Sequence, residues 1–111
     1  MQLYEAPTLQ FLCNMTLEVE TEFPTTGKTY NGAARRIIGV TGGVLEGPDF
    51  KANVRPGGSD WIVVREDGTI IQDVKIVLET DDGATILMTY RGIRTGPKEV
   101  LERLGRGEHV P

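Results

Sequence analysis

Polar and hydrophobic side chains alternate along residues 9–21, the most regular pattern in the chain. One face of this segment is apolar and consists of Leu9, Phe11, Cys13, Met15, Leu17 and Val19. Because successive side chains of a β-strand point to opposite faces, a period of two predicts a long strand with one buried face. Cys13 is then expected to be a buried small hydrophobe and not a reactive thiol.

Short apolar segments between turn residues predict six further strands. They cover residues 35–41, 44–46, 50–55, 60–65, 70–80 and 84–91. Residues 22–34 are punctuated by Pro24, Gly27 and Asn31-Gly32, which predicts a loop, either a plain connection or a lid over a binding site. Gly42-Gly43 predicts a break or a bulge between the second and third strands.

The sixth predicted strand, residues 70–80, has the clearest inward face. Its even positions Ile70, Val74, Ile76 and Leu78 are apolar, with Gln72 as the exception, and its odd positions are expected to face water. Asp67-Gly68 before this strand predicts a hairpin turn, since such turns need positive φ angles. Asp81-Asp82-Gly83 after it predicts another turn, because a calcium loop would need more widely spaced ligands.

The period changes near the C-terminus, where residues 96–105 predict a short helix. Pro97 suits its first turn and Gly105 can end it. Seven short strands without intervening helices predict an antiparallel sandwich or a closed barrel, in a single domain over residues 1–111. Closure of a barrel is the better way to cover the edge of a long first strand.

Composition and charge narrow the classes of function. The 111 residues include 12 Lys and Arg against 16 Asp and Glu, a formal net charge of −4, which disfavours a nucleic-acid partner. One cysteine and one histidine, His109, exclude an internal disulfide and any multi-cysteine metal site, so we predict no metal and no cofactor. The chain shows neither a signal peptide nor an apolar segment of about 18 residues, which predicts a cytoplasmic protein without a membrane partner.

The segment Gly57-Gly58-Ser59-Asp60-Trp61 is the first candidate site. Asp60 begins a strand whose next residues are apolar, so its carboxyl is expected to be desolvated, to have a raised pKa and to suit general acid or base catalysis. Trp61 offers a flat face to an aromatic or cationic ligand. The alternative is structural: Asp60 accepts backbone hydrogen bonds from the turn, and Trp61 belongs to the core.

Arginines supply the second set of candidates. Arg91, at the end of the seventh predicted strand, could hold a carboxylate or an enolate at the mouth of a barrel, or form a salt bridge with an acidic turn. Tyr90 and Arg91 cannot both face one pocket without a bulge. One of Arg35 and Arg36 should face inward, with Asp60 or Asp81 as its partner. The predicted ligand-binding residues are thus Arg36, Asp60, Trp61 and Arg91.

A set of short motifs also resembles a known family. They are Arg35-Arg36-Ile37-Ile38, Thr41-Gly42-Gly43, Glu46-Gly47-Pro48, Pro56-Gly57-Gly58-Ser59-Asp60-Trp61, Asp67-Gly68, Thr80-Asp81-Asp82-Gly83-Ala84 and Arg91-Gly92-Ile93-Arg94. In this combination the chain resembles the small β-barrel proteins of domain-of-unknown-function family 3237 (DUF3237, UPF0311-like) from about Leu9 to Pro111. The resemblance implies a calycin- or lipocalin-like β-barrel with a small-molecule pocket, and no settled activity.

The resemblance also implies further aromatic-rich strands that complete the barrel, whereas the sequence stops at Pro111. Either this is a shortened member of the family or those strands belong to a part of the chain absent from this sequence. Without them an open edge would remain, which a partner chain, as in a homodimer, could cover.

Three functions follow from these features. The preferred one is binding of a small, partly apolar or aromatic molecule inside the barrel. The second is a cofactor-independent isomerase, cyclase or lyase in which Asp60 is the acid or base and an arginine stabilises a developing anion. The third is a structural or oligomeric interaction role.

Overall fold

The computed structural model describes residues 4–110 and shows one antiparallel β-sheet with a short helix. The strands are β1 (Asn14–Val19), β2 (Thr25–Lys28), β3 (Ala34–Glu46), β4 (Lys51–Val54), β5 (Gly58–Val64), β6 (Ile70–Thr80) and β7 (Thr85–Arg94), followed by helix α1 (Lys98–Gly105). The predicted antiparallel β fold with one short helix is confirmed.

The long strand β3 organises the sheet. On one side it pairs with β1 and β2, and on the other with β5 over Ala34–Val40 and β4 over Val44–Glu46. Strands β4 and β5 therefore lie end to end between β3 and β6, and β7 pairs with β6 at the far side. Within residues 4–110, no ladder joins β7 to β1 or β2, so these three strands form the two edges.

Gly42-Gly43 does not end the second strand, because β3 runs unbroken through both glycines. Instead, the register with β1 shifts between Glu18 and Val19, which marks a bulge. Gly43 has φ 149°, and a Cβ at this position would collide with the carbonyl oxygen of Thr16. The two predicted strands are thus one bent strand, since glycine lets β1 pass this close to β3.

The loop predicted over residues 22–34 contains the short strand β2, which pairs with β3 through Thr25–Arg36 and Lys28–Ala34. Its sequence TTGK has no alternating hydrophobic pattern, and all four residues are exposed. This strand is held by ladder hydrogen bonds to β3 and not by burial, so hydrophobic periodicity could not reveal it.

The apolar face of residues 9–21 is only partly buried, which corrects the prediction. Leu9 is 103% and Phe11 59% exposed, whereas Cys13 and Leu17 are half-buried against the core. Strand β1 begins only at Asn14 and lies at the edge of the sheet, where no second layer covers its outer residues.

The core lies on the inner face of β6, as predicted. Val74, Ile76 and Leu78 are at most 2% exposed, and residues of β3 and β4 complete the cluster. The turn at Asp67-Gly68 is also confirmed: Gly68 has φ 87° and the Asp67 carboxylate accepts a hydrogen bond from the Thr69 N–H. Helix α1 buries Leu101, whose side chain lies next to Gly68.

The curved sheet leaves much of its surface exposed. Its radius of gyration is 17.3 Å, against about 13 Å for a compact domain of this length. The accessible surface of 8499 Å² likewise exceeds the roughly 6,100 Å² of a compact protein of this mass. The chain therefore buries less of its surface than a compact domain of the same length does. No helix within residues 4–110 is long and apolar enough to cross a membrane.

Candidate functional site

A cavity of about 400 Å³ lies on the concave face of the sheet. Leu17 of β1 and Tyr90 of β7 both border it, although they belong to opposite sides of the sheet. Strands lie about 4.8 Å apart, so a flat sheet would separate them by roughly 19 Å. Curvature of the sheet thus brings both edges around one space, and the end of helix α1 at Leu104 and Gly105 closes one end of it.

The floor of the cavity is built from rows of side chains that cross the strands. In the central row, Asp60 pairs with Ile38 on one side and Val74 on the other, and Val74 pairs with Tyr90. Directly paired residues share a face of the sheet, so all four side chains point into the cavity. Asp60 thereby lies between apolar neighbours in the middle of the floor.

Asp60 is the buried acid of this site, with 8% of its surface exposed. Its Oδ1 accepts a hydrogen bond from the Asp73 N–H at 3.1 Å, and its Oδ2 accepts one from Gln72 Nε2 at 3.3 Å. Burial raises the pKa of Asp60, and the two hydrogen bonds and the charge of Arg94 oppose this only in part. The carboxyl therefore holds a proton to a higher pH than an ordinary aspartate does.

Gly92 makes room for the partner of Asp60. It pairs with Gln72 across the β6–β7 ladder, and a Cβ at position 92 would lie 3.0 Å from Gln72 Oε1. Without that Cβ, the Gln72 side chain can lie along the floor and reach Asp60. A side chain at position 92, two strands away from Asp60, would thus press on the amide that donates to the acid.

Tyr90 places a phenol on the same floor. Burial raises the pKa of Tyr90, and the negative charge of Asp60 raises it further. The phenol is therefore neutral at physiological pH and can donate a hydrogen bond to a ligand.

Three arginines border the cavity, Arg36 of β3, Arg94 of β7 and Arg106 just after α1. Arg106 is bound to Glu108, with 2.7 Å between Nε and Oε2. Among residues 4–110, neither Arg36 nor Arg94 has an ion pair within 4 Å. The acidic side chains on the lining are Asp60 and Glu20.

The structure places two of the four predicted ligand-binding residues in this cavity, Arg36 and Asp60. It places Trp61 and Arg91 on the opposite, convex face. Trp61 follows Asp60 directly in a regular strand and pairs with Ile37, and it is 47% exposed. Arg91 alternates with Tyr90 in the same way and pairs with Asp73. The expected ion pair of Arg36 with Asp60 or Asp81 is absent within 4 Å among the described residues.

The sequence interpretation missed Tyr90, Gln72 and Arg94 as cavity residues. Gln72 stood out only as the polar exception on the inner face of β6. Arg94 lies beyond the predicted end of the seventh strand at residue 91, whereas β7 continues to Arg94. If the predicted strand had been extended to residue 94, alternation would have placed Arg94 on the same inner face as Tyr90, since the two residues are both even-numbered.

These groups can bind a small organic molecule and transfer a proton. The wall is apolar, with Val19 and Phe23 on the β1–β2 side, and Asp60, Tyr90 and Gln72 converge on it. Within residues 4–110, no group of three or more His, Cys, Asp or Glu side chains comes together in a way that could hold a metal ion.

Residues 7–111 match the family described as protein of unknown function (DUF3237). A UPF0311 protein of Rhodopseudomonas palustris is 36% identical over 104 residues, which cover 94% of this chain and 68% of that protein. Its crystal structure, that of a conserved protein of unknown function, has a TM-score of 0.77 at 30% identity and covers 93% of this chain and 69% of the other. This chain thus spans about two thirds of the length of that relative.

Two further proteins extend the comparison. A β-barrel-like protein of Acinetobacter baumannii has a TM-score of 0.69 at 37% identity, over 96% of this chain and 69% of its own. The hydroalkoxylation enzyme phnH of Penicillium herquei is 33% identical over 88 residues, which cover 75% of this chain and 54% of the enzyme. By its family match and its similarity to the UPF0311 proteins, this chain belongs to the DUF3237 family.

Proposed function

We propose that the protein binds a small, partly apolar or aromatic molecule in the cavity on the concave face. The observation that carries this proposal is the cavity itself, about 400 Å³ with an apolar wall and a few convergent polar groups. Binding sites for small molecules have this character and a volume of roughly 300–1,000 Å³. Trp61, predicted as a ligand platform, has no part in the proposal because it faces the convex side.

Neighbouring residues of β3 provide a matched test. Ile38 lines the cavity, whereas Ile37 pairs with Trp61 on the convex face, and both are half-buried. We expect Ile38→Trp to place a larger ring over the floor next to Asp60, where it would obstruct a ligand, and to abolish saturable binding of the fluorescent probe 8-anilinonaphthalene-1-sulfonate. Ile37→Trp should leave this binding intact. Equal binding by both variants, measured by fluorescence titration, would contradict the proposal.

A second candidate function is catalysis by proton transfer without a cofactor, as an isomerase, cyclase or lyase. The raised pKa of the Asp60 carboxyl favours it, because a protonated acid in an apolar cavity can act as a general acid. The name of phnH adds support, since hydroalkoxylation adds an O–H group across a carbon–carbon double bond. In such a reaction Asp60 would protonate one alkene carbon, the substrate oxygen would bond to the other, and the hydroxyl proton would return to the carboxylate.

This candidate differs from simple binding in one measurable respect. With an ortho-alkenyl phenol as the probe, the wild type should form the cyclic ether at a rate that falls as Asp60 ionises. Asp60→Asn should abolish this product while the variant still binds the probe. A rate that Asp60→Asn leaves unchanged would exclude Asp60 as the acid.

We also propose self-association through β7 as the interaction role. Strand β7 is ten residues long and pairs on one side only within the described chain. Unpaired N–H and C=O groups of such an edge can pair with another strand, and a second copy of β7 offers the same groups in antiparallel orientation.

A further inference from the structure

Arg36 and Arg94 carry positive charge at the cavity, and among residues 4–110 no carboxylate lies within 4 Å of either guanidinium. Elsewhere the arginines that make ion pairs do so at exposed positions, such as Arg55 with Glu79 at 3.1 Å. Neither Arg36 nor Arg94 makes an ion pair or a side-chain hydrogen bond within the described residues. Two guanidinium groups beside a cavity thus keep their hydrogen-bonding capacity for another molecule.

Both arginines belong to the same end of the concave face. Arg94 pairs with Ile70, which is two residues before Gln72 on β6. Arg36 is two residues before Ile38 on β3, and it is displaced from the Asp60 row in the same direction as Arg94. One inward-facing step along a strand is about 7 Å. The Arg36 guanidinium also lies against Gly105, where a Cβ would be 3.6 Å from Nη1, so the C-terminal end of α1 borders this part of the cavity.

The opposite end of the floor is apolar. Beyond the row of Asp60 and Tyr90 the cavity is lined by Val40, which belongs to the core. Along the floor, the two arginines therefore lie at one end, Asp60 and Tyr90 lie in the middle, and apolar side chains lie at the other end. A ligand that matches this order carries its charge at one end and its apolar part at the other.

Asp60 does not neutralise the arginines by direct contact. It lies at least one inward-facing step from Arg36, and its two oxygens already accept hydrogen bonds from Asp73 and Gln72. Glu20 lies on the lining as well; its carboxylate packs against Gly39 of β3 and forms no ion pair with Arg36 or Arg94 within 4 Å.

We propose that Arg36 and Arg94 form an anion subsite that selects a small organic carboxylate, with the carboxylate at the α1 end and an apolar or aromatic body over the Asp60 row. The planar guanidinium can hold a carboxylate through two parallel N–H···O bonds. This inference rests on the proposed binding function and names the class of ligand that the same cavity takes.

A pair of isosteric probes tests the inference by isothermal titration calorimetry. The probes are 2-naphthoate and the uncharged 2-naphthalenemethanol. We expect the wild type to bind naphthoate at least tenfold more tightly, a preference in the range of a charge-assisted hydrogen bond. Arg36→Gln should reduce this preference roughly tenfold, and Arg94→Gln about threefold because Arg94 is more exposed to solvent.

Two arginines on the convex face are matched controls. Arg35 precedes Arg36 on β3, Arg91 lies on β7 with Arg94, and both pair with residues of the convex face. Arg35→Gln and Arg91→Gln should leave the preference unchanged. A loss of preference in these controls equal to that in Arg36→Gln would overturn the inference, because it would reflect overall charge.

The remaining outcomes separate this inference from the proposal beneath it. If both probes bind with equal affinity and Ile38→Trp abolishes both, the cavity binds ligands and the anion subsite is refuted. If neither probe binds, or Ile38→Trp leaves binding unchanged, the binding function fails and the inference fails with it.

Discussion

Replacing Asp60 with asparagine should stabilise the protein at neutral pH, and less so as the pH falls. The substitution keeps the shape of the side chain and an oxygen that accepts the hydrogen bond from the Asp73 N–H, now 3.1 Å long. Its amide can donate to Gln72 once the Gln72 amide turns over. What it removes is the negative charge of a carboxylate that is 8% exposed.

The raised pKa of Asp60 explains why Asp60→Asn should stabilise the protein at neutral pH. Burial raises the pKa of Asp60, so the folded protein binds this proton more tightly than the unfolded chain does. The stability that Asp60 contributes in its protonated form is complete below the ordinary aspartate pKa of about 3.9 and is lost as the pH rises through the folded-state pKa. Asparagine is neutral throughout, so the advantage of Asp60→Asn should grow over this window and then level off.

Comparison of Asp60→Ala with Asp60→Asn measures how much the two hydrogen bonds at position 60 stabilise the protein. It removes both acceptors, the partners of the Asp73 N–H and of Gln72 Nε2, while adding no charge. Each lost hydrogen bond costs about 1 kcal/mol, so Asp60→Ala should be about 2 kcal/mol less stable than Asp60→Asn. This difference should not depend on pH, because both variants are neutral at position 60.

Urea unfolding followed by circular dichroism between pH 2.5 and 8.5 measures these differences, because both titration windows extend to or below the ordinary aspartate pKa of about 3.9. Asp67→Asn is the control of opposite sign: the pKa of Asp67 is lowered by its hydrogen bonds with Thr69. That variant should be less stable than the wild type at neutral pH and approach it as the pH falls. A constant difference between the wild type and Asp60→Asn across the range would refute the raised pKa of Asp60.

Three further predictions concern the fold and its edge. Ile76→Ala, at the centre of the core and 0% exposed, should lower the free energy of unfolding by about 2–5 kcal/mol in urea titrations. Gly43→Ala should destabilise the protein by more than Gly57→Ala, since both glycines have positive φ but only at Gly43 would a Cβ meet a neighbouring strand; equal losses would contradict the close approach of β1. Analytical ultracentrifugation should show a dimer that dissociates when Leu87→Lys places a charge on the β7 edge, and a monomer in both proteins would exclude pairing through this strand.

Sequence periodicity located the elements that have one buried face. Strand β6 has the predicted bounds and inner face, because the even-numbered Val74, Ile76 and Leu78 are apolar and pack in the core. The helix lies within its predicted range and ends at Gly105, as predicted. In both cases the pattern of side chains within the element was enough to predict its position.

Other features depend on long-range packing. Strand β3 continues through Gly43 because β1 packs closely against this glycine. The local sequence alone does not distinguish a continuous strand from a break at this position. Leu9 and Phe11 are exposed because they lie before β1, which begins only at Asn14, and so have no place in the sheet. For the same reason a regular period of two did not show which residues would be buried.

The candidate site was predictable in part. The burial of Asp60 followed from the apolar residues after it, and alternation alone shows that Trp61 and Asp60 face opposite sides. The approach of Arg94 and Gln72 to Asp60 needs the register of three strands and the curvature of the sheet. Neither quantity is local in sequence.

The most direct test of the central claim is an NMR titration of the ¹⁵N-labelled protein with 2-naphthoate. Two side-chain signals report on opposite faces, the Gln72 amide in the cavity and the Trp61 indole N–H on the convex face. If a ligand binds over Asp60, the Gln72 amide and the backbone N–H of Asp73 should shift saturably while the Trp61 indole stays in place. Shifts that gather around Trp61 and leave Gln72 unchanged would contradict the account.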